Sequence, residues 1–155
     1  MNIEFWYIGK TNEKYLSQGI EIYAKRLKHY CKYVEVCLKD VKPGPTAEAT
    51  KNKEAELVLS KLKNDDLFIL LDEVGKSYTS VKFANQIQKW INNSPRRIIF
   101  LVAGAFGAGE SLKARANTKL SLSEMTFSHQ MIRLFFTEQL YRAFTILKNE
   151  KYHNI

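Results

Sequence analysis

The run "RIIFLVAG" at residues 97–104 is the most apolar stretch of the chain. It is far shorter than the about 20 apolar residues that a membrane-crossing helix needs, and it lacks the polar alternation of a strand with one wet face. A strand covered on both faces suits it, and that arrangement calls for helices on either side of a mostly parallel sheet.

The neighbouring segments agree with that requirement. "NIEFWYI" at 2–8 predicts a strand that Gly9 and Lys10 interrupt. Leu16, Ile20, Tyr23 and Leu27 recur at spacings of three or four, which predicts an amphipathic helix over 13–29. "YVEVCL" at 33–38 alternates with period two and predicts a second strand. "KDVKPGPTAEAT" at 39–50 holds two of the three prolines and reads as a loop.

A helix follows over Ala49–Leu62, then a short strand at Phe68–Leu71 ended by "DEVGKS", and a helix over Val81–Ile91. "TKLSLSEMTF" at 118–127 is a short strand running into a polar loop. From Gln130 onward Leu134, Leu140, Phe144 and Leu147 fall near one side of a long helix, on which Glu138 and Arg142 stand one turn apart and can pair. Strand, loop and helix in succession is the grammar of an α/β domain. With 155 residues the chain fills one core, so residues 1–155 are expected to form a single domain.

The balance of 24 Lys and Arg against 16 Asp and Glu leaves a net charge of +8. That charge attracts a polyanion such as nucleic acid, and it serves solubility equally well. Two cysteines and an opening "MNIEFWYIGK" without a signal-peptide pattern lead to the expectation of a reduced, cytoplasmic setting. His29, Cys31 and Cys37 lack the paired spacing of a zinc site. No nucleophile elbow or zinc deaminase signature is present.

Four places carry candidate chemistry. "FLVAGAFGAGES" offers Gly104, Gly107 and Gly109 after the apolar strand, without the GxGxxG order or a phosphate loop; a cofactor contact and an ordinary strand-to-helix turn both fit it. "LLDEVGKSYT" sets Asp72, Glu73, Gly75 and Lys76 after another strand, as the opposite side of a crevice or as a solvated turn. His129 precedes Arg133 by four residues, a spacing that lets the two contact one phosphate or carboxylate, while a capping histidine fits as well. Arg142 reads first as the ion-pair partner of Glu138. The chain then ends on "YHN" beyond a long helix, where a frayed tail would be expendable.

Taken together, "LLDEVGK", "FLVAGAFG", "SLSEMTFSHQMIRLFFTEQLYRAFTI" and the final "YHN" resemble the RlmH family, also called YbeA. Its members are SPOUT-type methyltransferases acting on a pseudouridine of 23S ribosomal RNA. The resemblance covers essentially the whole chain, including "IEFWYIGK". It implies an α/β domain, a mostly parallel sheet flanked by helices, with a deep trefoil knot near the C-terminus. It also implies a homodimer, with ribosomal RNA in the large subunit or 70S ribosome as partner rather than DNA or a membrane.

The resemblance further implies S-adenosylmethionine bound in a bent form. Carried onto this chain, its contacts are Leu71, Ala103, Gly104 and the run Leu122, Ser123, Glu124, Met125, Thr126 and Phe127. Apolar walls such as Leu122 and Met125 suit adenine, whose edge bonds backbone groups exposed where strands become loops. No metal is implied.

The reaction it implies is methyl transfer to N3 of pseudouridine, an in-line displacement that depends on alignment. His153 is the candidate base or orienting group and Tyr152 the stacking partner of a base, with Arg142 and His129 positioning the substrate. Lys10, Lys76 and Arg133 are expected on a phosphate-facing surface. Two departures stand out: Ala103 replaces the first of two glycines, and Asn154 replaces a basic residue after "YH". Two other readings remain open at this point, the same cofactor with transfer RNA or another ribosomal site as acceptor, and a ribosome-binding protein without catalysis.

Overall fold

The computed structural model describes residues 1–154. Along the chain run β1 (Asn2–Ile8), α1 (Lys14–Leu27), β2 (Lys32–Leu38), α2 (Ala47–Lys61), β3 (Leu67–Ser77), α3 (Ser80–Asn92), β4 (Ile98–Val102), α4 (Glu110–Arg115), β5 (Thr118–Ser121) and α5 (Met131–Leu147). The strands form one sheet in the order β2-β1-β4-β3-β5, and each pairing is parallel.

The apolar run lies at the centre of that sheet as β4, and all five of its residues are buried. Its side chains alternate between two cores, as a period-two strand requires. Ile98, Phe100 and Val102 join Phe83 and Ile87 of α3 and Phe136 and Leu140 of α5. Ile99 and Leu101 join Ala55 and Val58 of α2 and Leu112 of α4. Phe136 sits 4.5 Å from Phe5 and 4.8 Å from Phe100, ring centre to ring centre, and so fastens α5 to β1 and β4.

The observed elements differ from the expected ones at instructive points. The stretch 39–50 is a loop only as far as Thr46, whose hydroxyl accepts from the Ala49 amide at 3.1 Å and starts α2 at Ala47. The strand expected at Phe68–Leu71 extends to Ser77, because after Leu71 it bulges out and rejoins β5 with Lys76 opposite Leu120. Gly75 makes that return possible: a β-carbon there would lie 2.6 Å from the Lys119 carbonyl carbon. α4, six residues long, carries too little periodicity to be read from sequence.

Two arginines organise the ends of the sheet. Arg97 donates to Asp66 at 2.7 and 2.9 Å and to Glu4 at 3.3 Å, joining the amino ends of β1, β3 and β4. Burial alone would raise the Asp66 carboxyl, but the bonds from Arg97 and the Lys63 amide outweigh it and hold the group below its ordinary range.

At the opposite end Arg133 is fully buried, which corrects its expected place on a phosphate-facing surface. Its guanidinium donates to the carbonyls of Ile8 and Gly9 at 2.9 Å, to Thr11 Oγ1 at 3.1 Å and to the His129 carbonyl at 3.2 Å, and it lies 4.4 Å from the Tyr7 ring centre. The reason is the carbonyls at the end of β1, which have outrun their ladder and need donors.

At its C-terminus α5 closes in a left-handed turn at Asn149, with φ of 56°. The Glu150 amide donates to the Thr145 carbonyl at 2.9 Å, the six-to-one bond of a Schellman motif. The chain therefore reverses and lays residues 151–154 back beside the helix.

Candidate active site

Ligands in open parallel sheets bind beyond the carboxyl ends of the strands, and there this protein has a cleft of about 400 Å³. Three loops form it. The first follows β4: Gly107, with φ of 83°, donates its amide to the Gly104 carbonyl at 3.0 Å and turns the chain toward α4. Ala103 has no positive φ, so its methyl group is accommodated without strain. The second is the excursion of β3 through Asp72, Glu73 and Val74, shaped by the Val74 amide bonding Asp72 Oδ1 at 2.9 Å.

The third loop follows β5. Ser121 Oγ donates to the Ser123 carbonyl at 2.8 Å, and Ser123 Oγ accepts from the Met125 amide at 2.9 Å. Thr126 Oγ1 donates to Glu73 Oε2 at 2.5 Å, which ties this loop to the β3 excursion. Asp72 and Glu73 thus stand across the crevice from the glycine-containing loop.

Leu71, Ala103, Gly104, Leu122, Ser123, Met125, Thr126 and Phe127 all line the cleft. Glu124 is exposed and does not. Sequence reading did not find Phe106, nor Lys51 of α2, Lys113 of α4 and Ile132 of α5, which complete the lining. No local pattern marks them, because they meet only through the fold.

His129 also lines the cleft. Burial, and then the nearby Arg133 guanidinium, pull its pKa below the ordinary value of 6.5, against the opposing field of Asp40. The ring is accordingly neutral at neutral pH and can accept a proton. His129 and Arg133 do not face one ligand: the histidine ring points to the cleft and the arginine into the protein interior.

Arg142, Tyr152 and His153 come together elsewhere, at the C-terminal end of α5. Arg142 bonds Glu138 Oε1 through Nε at 3.1 Å and Nη2 at 2.5 Å, bearing out the pairing read from their spacing. Tyr152 donates to the same oxygen at 2.9 Å, and its ring lies 4.7 Å from the Arg142 guanidinium. Burial, then bonds to Tyr23 and Glu138, raise the Tyr152 pKa well above its ordinary value and keep the phenol protonated.

His153 Nδ1 is 3.1 Å from Arg142 Nη1. A guanidinium only donates, so Nδ1 is the acceptor and the proton of the neutral ring resides on Nε2. None of these three residues lines the 400 Å³ cleft. Their partner Glu138 instead reaches a neighbouring hollow of about 370 Å³, which shares Leu120, Leu122, Ser123 and Phe127 with it.

A family model described as predicted SPOUT methyltransferase matches residues 1–153. Over 156 residues, 99% of both chains, the protein is 50% identical to ribosomal RNA large subunit methyltransferase H of Christiangramia forsetii. It is 47% identical, with the same coverage, to the protein of that name from Flavobacterium psychrophilum. The protein of that name from Cytophaga hutchinsonii is 45% identical over 161 residues, covering 99% of this chain and all of the relative. A cleft built at the carboxyl ends of parallel strands, in a chain that matches one enzyme family almost end to end, leaves one assignment: the chain belongs to the SPOUT methyltransferase family.

Proposed function

We propose that this enzyme transfers the methyl group of S-adenosylmethionine to N3 of a pseudouridine in 23S ribosomal RNA, working in the cytoplasm on the assembled large subunit or 70S ribosome. The observation that carries the reading is the cleft itself. Its size suits a nucleoside with a short side chain. Leu71, Phe106, Leu122 and Met125 supply apolar walls for adenine, and the backbone from Ala103 to Ala108 offers donors and acceptors. These residues fit the cofactor and would hold it. When bound, it supplies an electrophilic methyl group on a sulfonium.

The chain's own groups divide the remaining work. N3 of the neutral base carries a proton that must leave, and His129, in the cleft and without a proton of its own to lose first, accepts it. His153 presents an Nε2–H, fixed by Arg142, and orients the base by donating to one of its carbonyl oxygens. Tyr152 and Arg142 hold the tail at that geometry, with Glu138 bonded to both.

We further read the working enzyme as a homodimer in which the tail cluster of one protomer completes the cleft of its partner. Tyr15 and Ile22 on α1 and Phe135 on α5 are exposed apolar side chains on two adjoining helices, which supports an interface there. The deep trefoil knot belongs to the same proposal. It is supported by the return of β5 to pair with β3 on the side away from β4, followed by α5 packing on α1 and α3.

The test is methyl incorporation from labelled S-adenosylmethionine into ribosomes lacking the modification, with free 23S RNA in parallel and the product mapped. Methyl at N3 of a pseudouridine, formed on ribosomes, is the expected result. Incorporation at another base or into transfer RNA overturns the acceptor.

A further inference from the structure

Glu54 of α2 is 8% exposed, and among the described residues no lysine or arginine pairs with it. A carboxylate withdrawn from water without a cation is costly unless hydrogen bonds replace its solvation. Its neighbours on the helix, Ala55 and Val58, are wholly buried core residues, so an apolar side chain would fit the surroundings. The Gly104 amide favours its charge, while burial and the nearby Asp40 carboxylate work against it and raise its pKa. Such a group does not add to stability by itself, and its placement calls for another reason.

Gly104 supplies it. This glycine has no positive φ, so backbone conformation does not explain why the position lacks a side chain. Space does: a β-carbon at Gly104 would stand 2.3 Å from Glu54 Oε2 and 2.9 Å from Oε1. The carboxylate is seated against the α-carbon of Gly104, and Glu54 does not itself line the cleft that Gly104 lines. Lys51, one turn earlier on α2, lines the cleft itself, so this face of the helix is applied to the loop.

We infer that Glu54 is a positioning residue for the cofactor: by seating its carboxylate against Gly104 and filling the space a side chain would take, it sets the 103–107 backbone against which the cofactor lies. The inference rests on the reading that this cleft holds S-adenosylmethionine. Glu54 acts through the peptide, not through its charge, and it matters equally for the sulfonium cofactor and the uncharged thioether left after transfer.

Calorimetric titration of S-adenosylmethionine and S-adenosylhomocysteine into wild type, E54Q, E54D, E54A, G104A and the double variant G104A/E54A tests this, with thermal unfolding of each protein alongside. E54Q keeps an acceptor of the same reach and is expected to bind both ligands within about threefold of wild type. E54A and E54D, which withdraw the carboxyl group from its seat against Gly104, are expected to weaken both ligands by about tenfold or more. In turnover the KM for the cofactor rises while kcat at saturation stays within about twofold.

G104A pushes the end of the Glu54 side chain out of its seat and is expected to weaken both ligands about as E54A does, and G104A/E54A to be no weaker than E54A, because the two changes remove the same contact. If E54A does not fold, E54D with G104A/E54D decides the same question. Wild-type affinity in E54A or E54D overturns the inference, as does E54Q falling with E54A or a loss confined to the charged ligand. Absence of binding by wild type overturns the cofactor site beneath it as well.

Discussion

The two ends of α5 carry one arginine each, in opposite circumstances. Arg133 is wholly buried, its donors spent on four acceptors: the end of β1, two in the loop after it and the His129 carbonyl just before α5. Arg142 keeps a quarter of its side chain exposed, shares Glu138 with Tyr152, and touches a histidine on a reversed tail. The first arginine binds three backbone carbonyls and one hydroxyl in the protein interior, and so it is architecture. The second binds side chains that can exchange partners, and so it is available for chemistry.

The contrast is sharpest under substitution. Arg133→Met orphans the buried carbonyls of Ile8 and Gly9, and the expected loss is about 3 kcal/mol or more in urea unfolding. Arg142→Met is expected to cost under about 1 kcal/mol by the same measurement, yet to reduce methyl transfer about 100-fold. Equal destabilisation by the two would erase the distinction.

Deleting residues 152–155 tests the tail cluster alone. Transfer to ribosomes is expected to vanish while S-adenosylmethionine affinity, read by calorimetry, stays within about threefold, since none of Arg142, Tyr152 and His153 lines the cleft. His153→Ala is expected to lose about 100-fold in kcat on the same grounds.

A gentler probe lies beside the fixed end. His129 has a lowered pKa in the folded protein, so between that value and 6.5 the unfolded chain binds more protons than the folded one. Stability is fully present above 6.5 and falls as pH drops through this window. His129→Gln should flatten that part of the stability profile, as thermal unfolding across pH 5 to 7 in roughly half-unit steps will report. The smallest effect is expected from Ala103→Gly, at a position whose φ does not need a glycine: stability within about 1 kcal/mol and cofactor affinity within about twofold.

How much of this could be read in the sequence follows the range of the forces involved. Residues 98–102 announced a doubly covered strand because burial on both faces acts on every residue of the run. The Glu138–Arg142 pair was legible because a helix fixes its spacing. The cleft residues came from resemblance, and the loops they occupy were visible as glycine-rich or polar ends of strands.

Arg133 was misread because three of its four acceptors lie more than 120 residues away, and nothing around it distinguishes a buried guanidinium from a surface one. Lys51, Lys113 and Glu54 escaped for the same reason. They lie on helices whose neighbouring residues are equally charged, and only packing tells which face turns inward. The reversal at Asn149 had a local signal, an asparagine just past a long helix, which is the second choice after glycine for a left-handed cap.

The central place of β4 also governs the birth of the protein. β1 is made long before its inner neighbour in the sheet, which does not exist until residues 98–102 have been synthesised. Until then β1 and β2 can pair only with each other, and Ile3 and Phe5 lack the α5 aromatics that later cover them. The emerging chain therefore carries an open, apolar strand edge through most of its synthesis. α5 covers that core only once the residues after β5 have been made, so the contacts that close the fold join segments far apart in the chain, the kind of topology that slows folding.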